Sequence, residues 1–77
     1  MAILQTGNSQ AERLADELLK LKPDVTAKDR SDAVEKFGCT KATISNYLNG
    51  KVMDNDTAVN FILFFKDCIS KREGLLN

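Results

Sequence analysis

The sequence contains no histidine, one proline, four glycines and two cysteines, and its eleven basic residues are matched by eleven acidic ones. Each scarcity excludes something. Without histidine, Cys39 and Cys68 do not make up a structural zinc site. The commonest general base is missing too, and no phosphate-cradling glycine loop or evident carboxylate pair replaces it. We therefore expect no enzymatic activity, no metal and no cofactor. A net charge of zero argues against a general polyanion binder or a basic tail. So few breakers leave room for long helices. The longest apolar run, FILFF at 61–65, is far too short to span a membrane. The opening MAILQTGNSQ lacks the basic start and apolar stretch of a secretory signal. Both cysteines fall at apolar-patterned positions and read as reduced core residues of a cytoplasmic protein. In that compartment the Asn55-Asp56-Thr57 sequon never meets the glycosylation machinery.

What is present is a globular composition, 43% apolar and 29% charged, over 77 residues. That length allows one small domain, spanning 1–77, and a core so small is marginal alone, so self-association is expected. The patterning is helical throughout, with no strand signal and no internal repeat. Ser9-Gln10-Ala11-Glu12 is a capping-box pattern, and Ala11, Leu14, Ala15, Leu18 and Leu19 follow on one face. Pro23 ends that helix. A second helix runs from Asp29 as cap, with Arg30 at its first position and Thr26 as the competing cap, to about Phe37. Its apolar face is Ala33, Val34 and Phe37. Gly38 suits a left-handed residue after the helix. Thr40 then caps a third helix, accepting from the amide of Ala42 or Thr43, and Asn49-Gly50 closes it. Asn55 or Asp54 caps a fourth helix, with Asp56 in its favourable first turn. This helix runs to about Arg72, with Lys71 and Arg72 suited to its last turn and Gly74 as the stop.

The second and third helices, joined by a short glycine-containing turn, have the form of a helix-turn-helix at about 30–50. Cys39 plugs the angle between them, and Ile44, Tyr47 and Leu48 bury one face of the third helix. The outward set is Thr40, Lys41, Ala42, Thr43, Ser45, Asn46 and Asn49. Short donors and acceptors with one cation are the residue types that reach base edges and phosphates. Taken singly, a surface lysine is most often only solvated. Lys41 gains a contact role from its place in the first turn of this helix. Tyr47 reads as a packing residue more than as a phosphate contact.

The stretch RSDAVEKFGCTKATISNYLNGK resembles the helix-turn-helix of the phage repressor and Cro-like family, also called Xre-type or lambda-repressor-like. Gly38, Ile44, Ser45, Tyr47, Asn49, Gly50 and Lys51 all stand where that family commonly places such residues. The resemblance implies an all-α, lambda-repressor-like bundle of four helices, or five if the C-terminal segment divides into the two short helices usual there. It implies that Arg30 touches a backbone phosphate, that Lys41, Ala42 and Thr43 read bases in the major groove, and that Ser45 and Asn46 reach bases from the middle of the helix. Asn49 and Lys51 then contact phosphate at its end. Three features depart from the family: Ala33 precedes the larger Val34 in the second helix, the connector before Asp29 is long, and one long helix follows the motif.

Charge is not evenly spread. Residues 1–27 and 52–77 each hold three basic and four acidic residues, whereas 28–51 hold five basic and three acidic. The motif therefore occupies the one basic third, though the excess is small. Few cations mean few released counterions and weak non-specific binding. A neutral chain of this kind is expected to bind double-stranded DNA at a palindromic operator, as a homodimer. The final helix, about 55–73, offers more apolar residues than one buried stripe needs. Phe61, Phe64, Phe65 and Ile69, with Leu75 and Leu76, are the candidate dimer residues. The functional expectation is a sequence-specific transcriptional regulator of bacterial or phage type, associated with the nucleoid when bound and without a small-molecule effector domain. The rival is a protein-interaction module on the same fold, such as an antitoxin or a phage accessory or recombination factor.

Overall fold

The computed structural model describes the backbone of residues 2–76 and the side chains of residues 10–74. It is an all-α bundle of four helices: α1 (Ala2–Leu21), α2 (Ala27–Phe37), α3 (Lys41–Leu48) and α4 (Asn55–Leu76). A single 3-10 turn, Lys22–Asp24, links α1 to α2 around Pro23. α4 lies along α1, while α3 packs against both α1 and α2.

The core follows from the apolar spacing. Leu18 from α1, Ala33 from α2, Ile44 and Leu48 from α3, and Phe61 and Phe65 from α4 are completely or almost completely buried. All five aromatic residues join in one cluster. Phe61 is the hub, with ring centroids 5.0 Å from Phe37 and 4.9 Å from Tyr47, both edge-on. Phe64 and Phe65 extend the cluster along α4. Edge-to-face pairs set the positive ring edge against a negative ring face and add to plain burial.

Several ends differ from those expected. α1 does not start at Ser9 but at Ala2, so the capping-box residues lie inside the helix. Each further residue adds one hydrogen bond without a new nucleation cost, and Ala2-Ile3-Leu4-Gln5 offers nothing that forbids it. α2 starts at Ala27, capped by Thr26 rather than by Asp29. The Thr26 hydroxyl accepts from the Asp29 amide, and the Asp29 carboxylate accepts from the Thr26 amide, each at 3.1 Å. Asp29 is thus the third residue of a reciprocal capping box, and Arg30 sits one turn inside the helix. α4 is a single helix that passes through Gly74, so there is no fifth helix among the described residues. One glycine costs a helix roughly 1 kcal/mol relative to alanine, too little to stop a helix already held by its core face.

Arg72 takes a different part as a result. Instead of ending α4, it reaches back to the start of α2 and the turn before it, where Nη1 donates to Asp29 Oδ2 at 2.8 Å and Nη2 donates to the Asp24 carbonyl. Asp29 is only 6% exposed. Burial pushes its carboxyl up, but the Thr26 amide and the Arg72 guanidinium together outweigh burial and hold it below its ordinary value. Burial, followed by the Asp29 carboxylate nearby, pushes the Cys68 thiol up.

Candidate nucleic-acid interface

α3 is defined by both its ends. Thr40 caps it with a side chain that accepts from the Thr43 amide at 3.2 Å, one of the two amides expected. The Thr40 and Thr43 hydroxyls are also bonded to each other. At the far end Gly50 has φ +90, and its amide donates to the Tyr47 carbonyl while that of Lys51 donates to Asn46. That pair of bonds is a Schellman closure, and a positive φ is open to glycine without strain. A Cβ on Gly50 would also meet Leu19 of α1 at 3.3 Å. Before α3, Gly38 turns the chain with φ 64, and the amides of Gly38 and Cys39 both return to the Val34 carbonyl.

Between these ends one side of α3 is spent inward. Ile44, Tyr47 and Leu48 are buried, and the partly buried Phe37 and Cys39 pack against the core they belong to. The Tyr47 hydroxyl accepts from the Asp54 amide at 3.1 Å, so it fixes the connector into α4 and does not face solvent as a free group. Asp54 in turn caps α4, and the Thr57 hydroxyl and amide hold its carboxyl below its ordinary value.

The remaining side is presented. Thr40, Lys41, Ala42 and Asn49 are exposed, as is Lys51 just beyond the helix, while Thr43, Ser45 and Asn46 are half-buried on its flanks. Arg30 is brought beside this surface from α2, its Nη1 3.5 Å from Ser45 Oγ, a long and weak contact. A cavity of about 160 Å³ lies between the first turns of α2 and α3, lined by Ala27, Arg30, Ser31, Lys41 and Ser45. The nine residues singled out from the sequence thus lie on α3, at its two ends or directly against it.

One residue escaped the sequence reading. Lys22, in the turn after α1, donates to the Asn49 side-chain carbonyl. It lies in an acidic third of the chain and is separated from Asn49 by 27 positions. Only the docking of α1 on α3 brings the two together. With Lys22 included, the surface around α3 carries Lys22, Arg30, Lys41 and Lys51, none of which forms an ion pair among the described residues. Elsewhere Lys28, Lys66, Lys71 and Arg72 form ion pairs, whereas Arg13, Lys20 and Lys36, like the four around α3, form none among the described residues.

The candidate dimer residues divide differently. Phe61 (1% exposed) and Phe65 (0%) are enclosed within the core of the single chain and have no surface to give a partner. The apolar run at 61–65 is absorbed because Phe61, Ile62 and Phe65 point inward together. Phe64 and Ile69 are half-buried. The side chains of Leu75 and Leu76 lie outside the described residues. The exposed apolar residue of that run is Leu63, at 61%.

No protein-family model, curated protein or solved structure matches the chain significantly. Among the described residues no group of acidic or cysteine side chains could hold a metal ion, and no helix is long and apolar enough to cross a membrane.

Proposed function

We propose that the protein is a sequence-specific DNA-binding regulator, with α3 as the helix that enters the major groove, acting in the cytoplasm of a bacterial or phage-infected cell. One observation carries this reading. An eight-residue helix is pinned by three buried side chains, and its other positions are mostly small and polar, with Lys22 bonded to Asn49, Arg30 beside Ser45, Lys41 in the first turn and Lys51 just past the end. Lys41, Ala42, Thr43, Ser45 and Asn46 then face base edges, while Arg30, Asn49 and Lys51 reach phosphates. Thr40 stands at the entry of the helix. Lys22 joins the phosphate contacts through Asn49. The reading resembles the repressor and Cro-like mode of action, in which two copies place their helices one turn of DNA apart, roughly 34 Å.

Selection of bound sequences from a random DNA library tests the reading, because it returns the site, its symmetry and its half-site spacing together. Replacing Lys41 or Asn46 by alanine is expected to weaken the selected site by about 1–3 kcal/mol. An equal loss on random DNA would remove both from the base-reading role. The rival reading, an interaction module such as an antitoxin, draws support from the exposed Leu63. No shift of any genomic fragment in a gel assay would favour it.

A further inference from the structure

The outward face of α4 is a second surface, separate from α3. Asp56, Asn60, Leu63, Asp67 and Lys71 recur at intervals of three and four and therefore share one side of the helix. Val59, beside them, is exposed as well. Along this side runs an open groove of about 460 Å³ between α2 and α4, with Phe37 and Phe64 on its apolar floor and Lys36 and Lys71 at its rim. Leu63 stands at the edge of the groove, so one chain carries both an exposed apolar knob and an apolar groove to receive one. A two-fold axis satisfies both at once, since each copy gives its knob to the other.

Charge fixes the direction. If two α4 helices pack antiparallel about an axis between Leu63 and Phe64, Leu63 of one copy meets Phe64 of the other. In the same register Asn60 faces Asp67, and Asp56 faces Lys71, twice by symmetry. A parallel arrangement would instead set Asp56 against Asp56 and Lys71 against Lys71. Lys71 now pairs with Asp67 in its own helix at 3.1 Å. That exposed contact between neighbouring turns is weak and can be shared with a partner. The geometry points to a homodimer joined through antiparallel α4 helices, with Leu63 of each copy seated in the α2–α4 groove of the other. It rests on the regulator reading for its purpose, which is to present two α3 helices, but not for its evidence.

Sedimentation without DNA tests it. The wild-type chain is expected to dimerise at about 100 µM, a range suited to a small apolar patch. Leu63→Asp should raise the dimer dissociation constant about tenfold or more. Asp56→Lys and Lys71→Glu should each weaken self-association, because each puts like charges opposite one another. An equal mixture of these two variants should recover the dimer, since both 56–71 contacts in the mixed pair are then between opposite charges. Thermal melts show that each variant is folded. A wild-type monomer, a dimer indifferent to Leu63→Asp, or a mixture no tighter than its components overturns the proposal. A dimer behaving as expected that binds no DNA leaves the interface standing and removes the regulator reading.

Discussion

α3 and α4 touch through the rings of Tyr47 and Phe61 and are otherwise opposites. α3 has 8 residues and α4 has 22. A helix as short as α3 is marginal on its own, and it exists here because both ends are closed and one side is buried. α4 is long enough to propagate through Gly74 and needs no stop signal within the chain described. The short helix is therefore specified by its ends and the long one by its side. That difference matters for function, because a helix fixed at its ends and along one face can leave all its other positions free for polar residues.

The contact between the two helices is the place where the comparison is easiest to break. Phe61→Ala removes the ring that touches Phe37, Tyr47 and Phe65 at once. It should destabilise the fold by about 3–5 kcal/mol, as large-to-small changes of buried aromatics do. Urea unfolding followed by circular dichroism measures this. A loss below about 1 kcal/mol would mean that α3 is held by something other than the aromatic cluster.

A smaller effect is expected where α4 grips the other half of the motif. Arg72→Met keeps the length of the side chain but leaves the Asp29 carboxylate with only its cap bond. Arg72 is partly exposed, so a loss of about 1–3 kcal/mol at neutral pH is expected, below that of a fully buried pair. The pH dependence has a definite sign. Because the Asp29 carboxyl is held below its ordinary value in the folded state, the unfolded chain takes up the proton more readily. The stabilisation is complete above the ordinary carboxylate range and disappears as pH falls through the folded value. Arg72→Met should flatten that acid-side decline in the unfolding midpoint. An unchanged decline would assign it to other carboxylates.

How much of this was legible in the sequence depended on whether the deciding contact is local. The second cap was visible as Thr26 or Asp29 because both partners lie within three residues, and the choice between them turned on a reciprocal pair of bonds. The left-handed Gly38, the Thr40 cap and the inward residues Ile44, Tyr47 and Leu48 follow from local signals and are found as read. The partition of 61–65 was not legible. Phe61, Phe64 and Phe65 carry the same apolar signal whether they face a core or a partner, and only the docking of α1 and α2 turns Phe61 and Phe65 inward and leaves Leu63 out. Lys22 was hidden for the same reason, since its neighbour Asn49 is remote in the chain. Arg72 was misassigned because charge in a helix's last turn is a local rule, and the bond to Asp29 is not local.

The smallest effects separate the two helices most cleanly. Thr40→Ala deletes the acceptor for the Thr43 amide while removing little surface, since Thr40 is exposed. It should cost about 1 kcal/mol, the ordinary value of a lost cap. Gly74→Ala in α4 should act in the opposite sense. The position is helical, its φ is not in the left-handed region, and an added Cβ meets no heavy atom within 4 Å. Alanine gains up to about 1 kcal/mol over glycine in a helix interior, and less near an end. Thermal melts of both variants decide the matter. If the end of α3 limits the short helix and the interior of α4 limits the long one, Thr40→Ala lowers the midpoint and Gly74→Ala raises it. A midpoint unmoved by Thr40→Ala would mean that burial of Ile44, Tyr47 and Leu48 alone holds α3. Its open face would then tolerate any residue at the entry of the helix, and Thr40 would be free to serve contact with DNA instead of the fold.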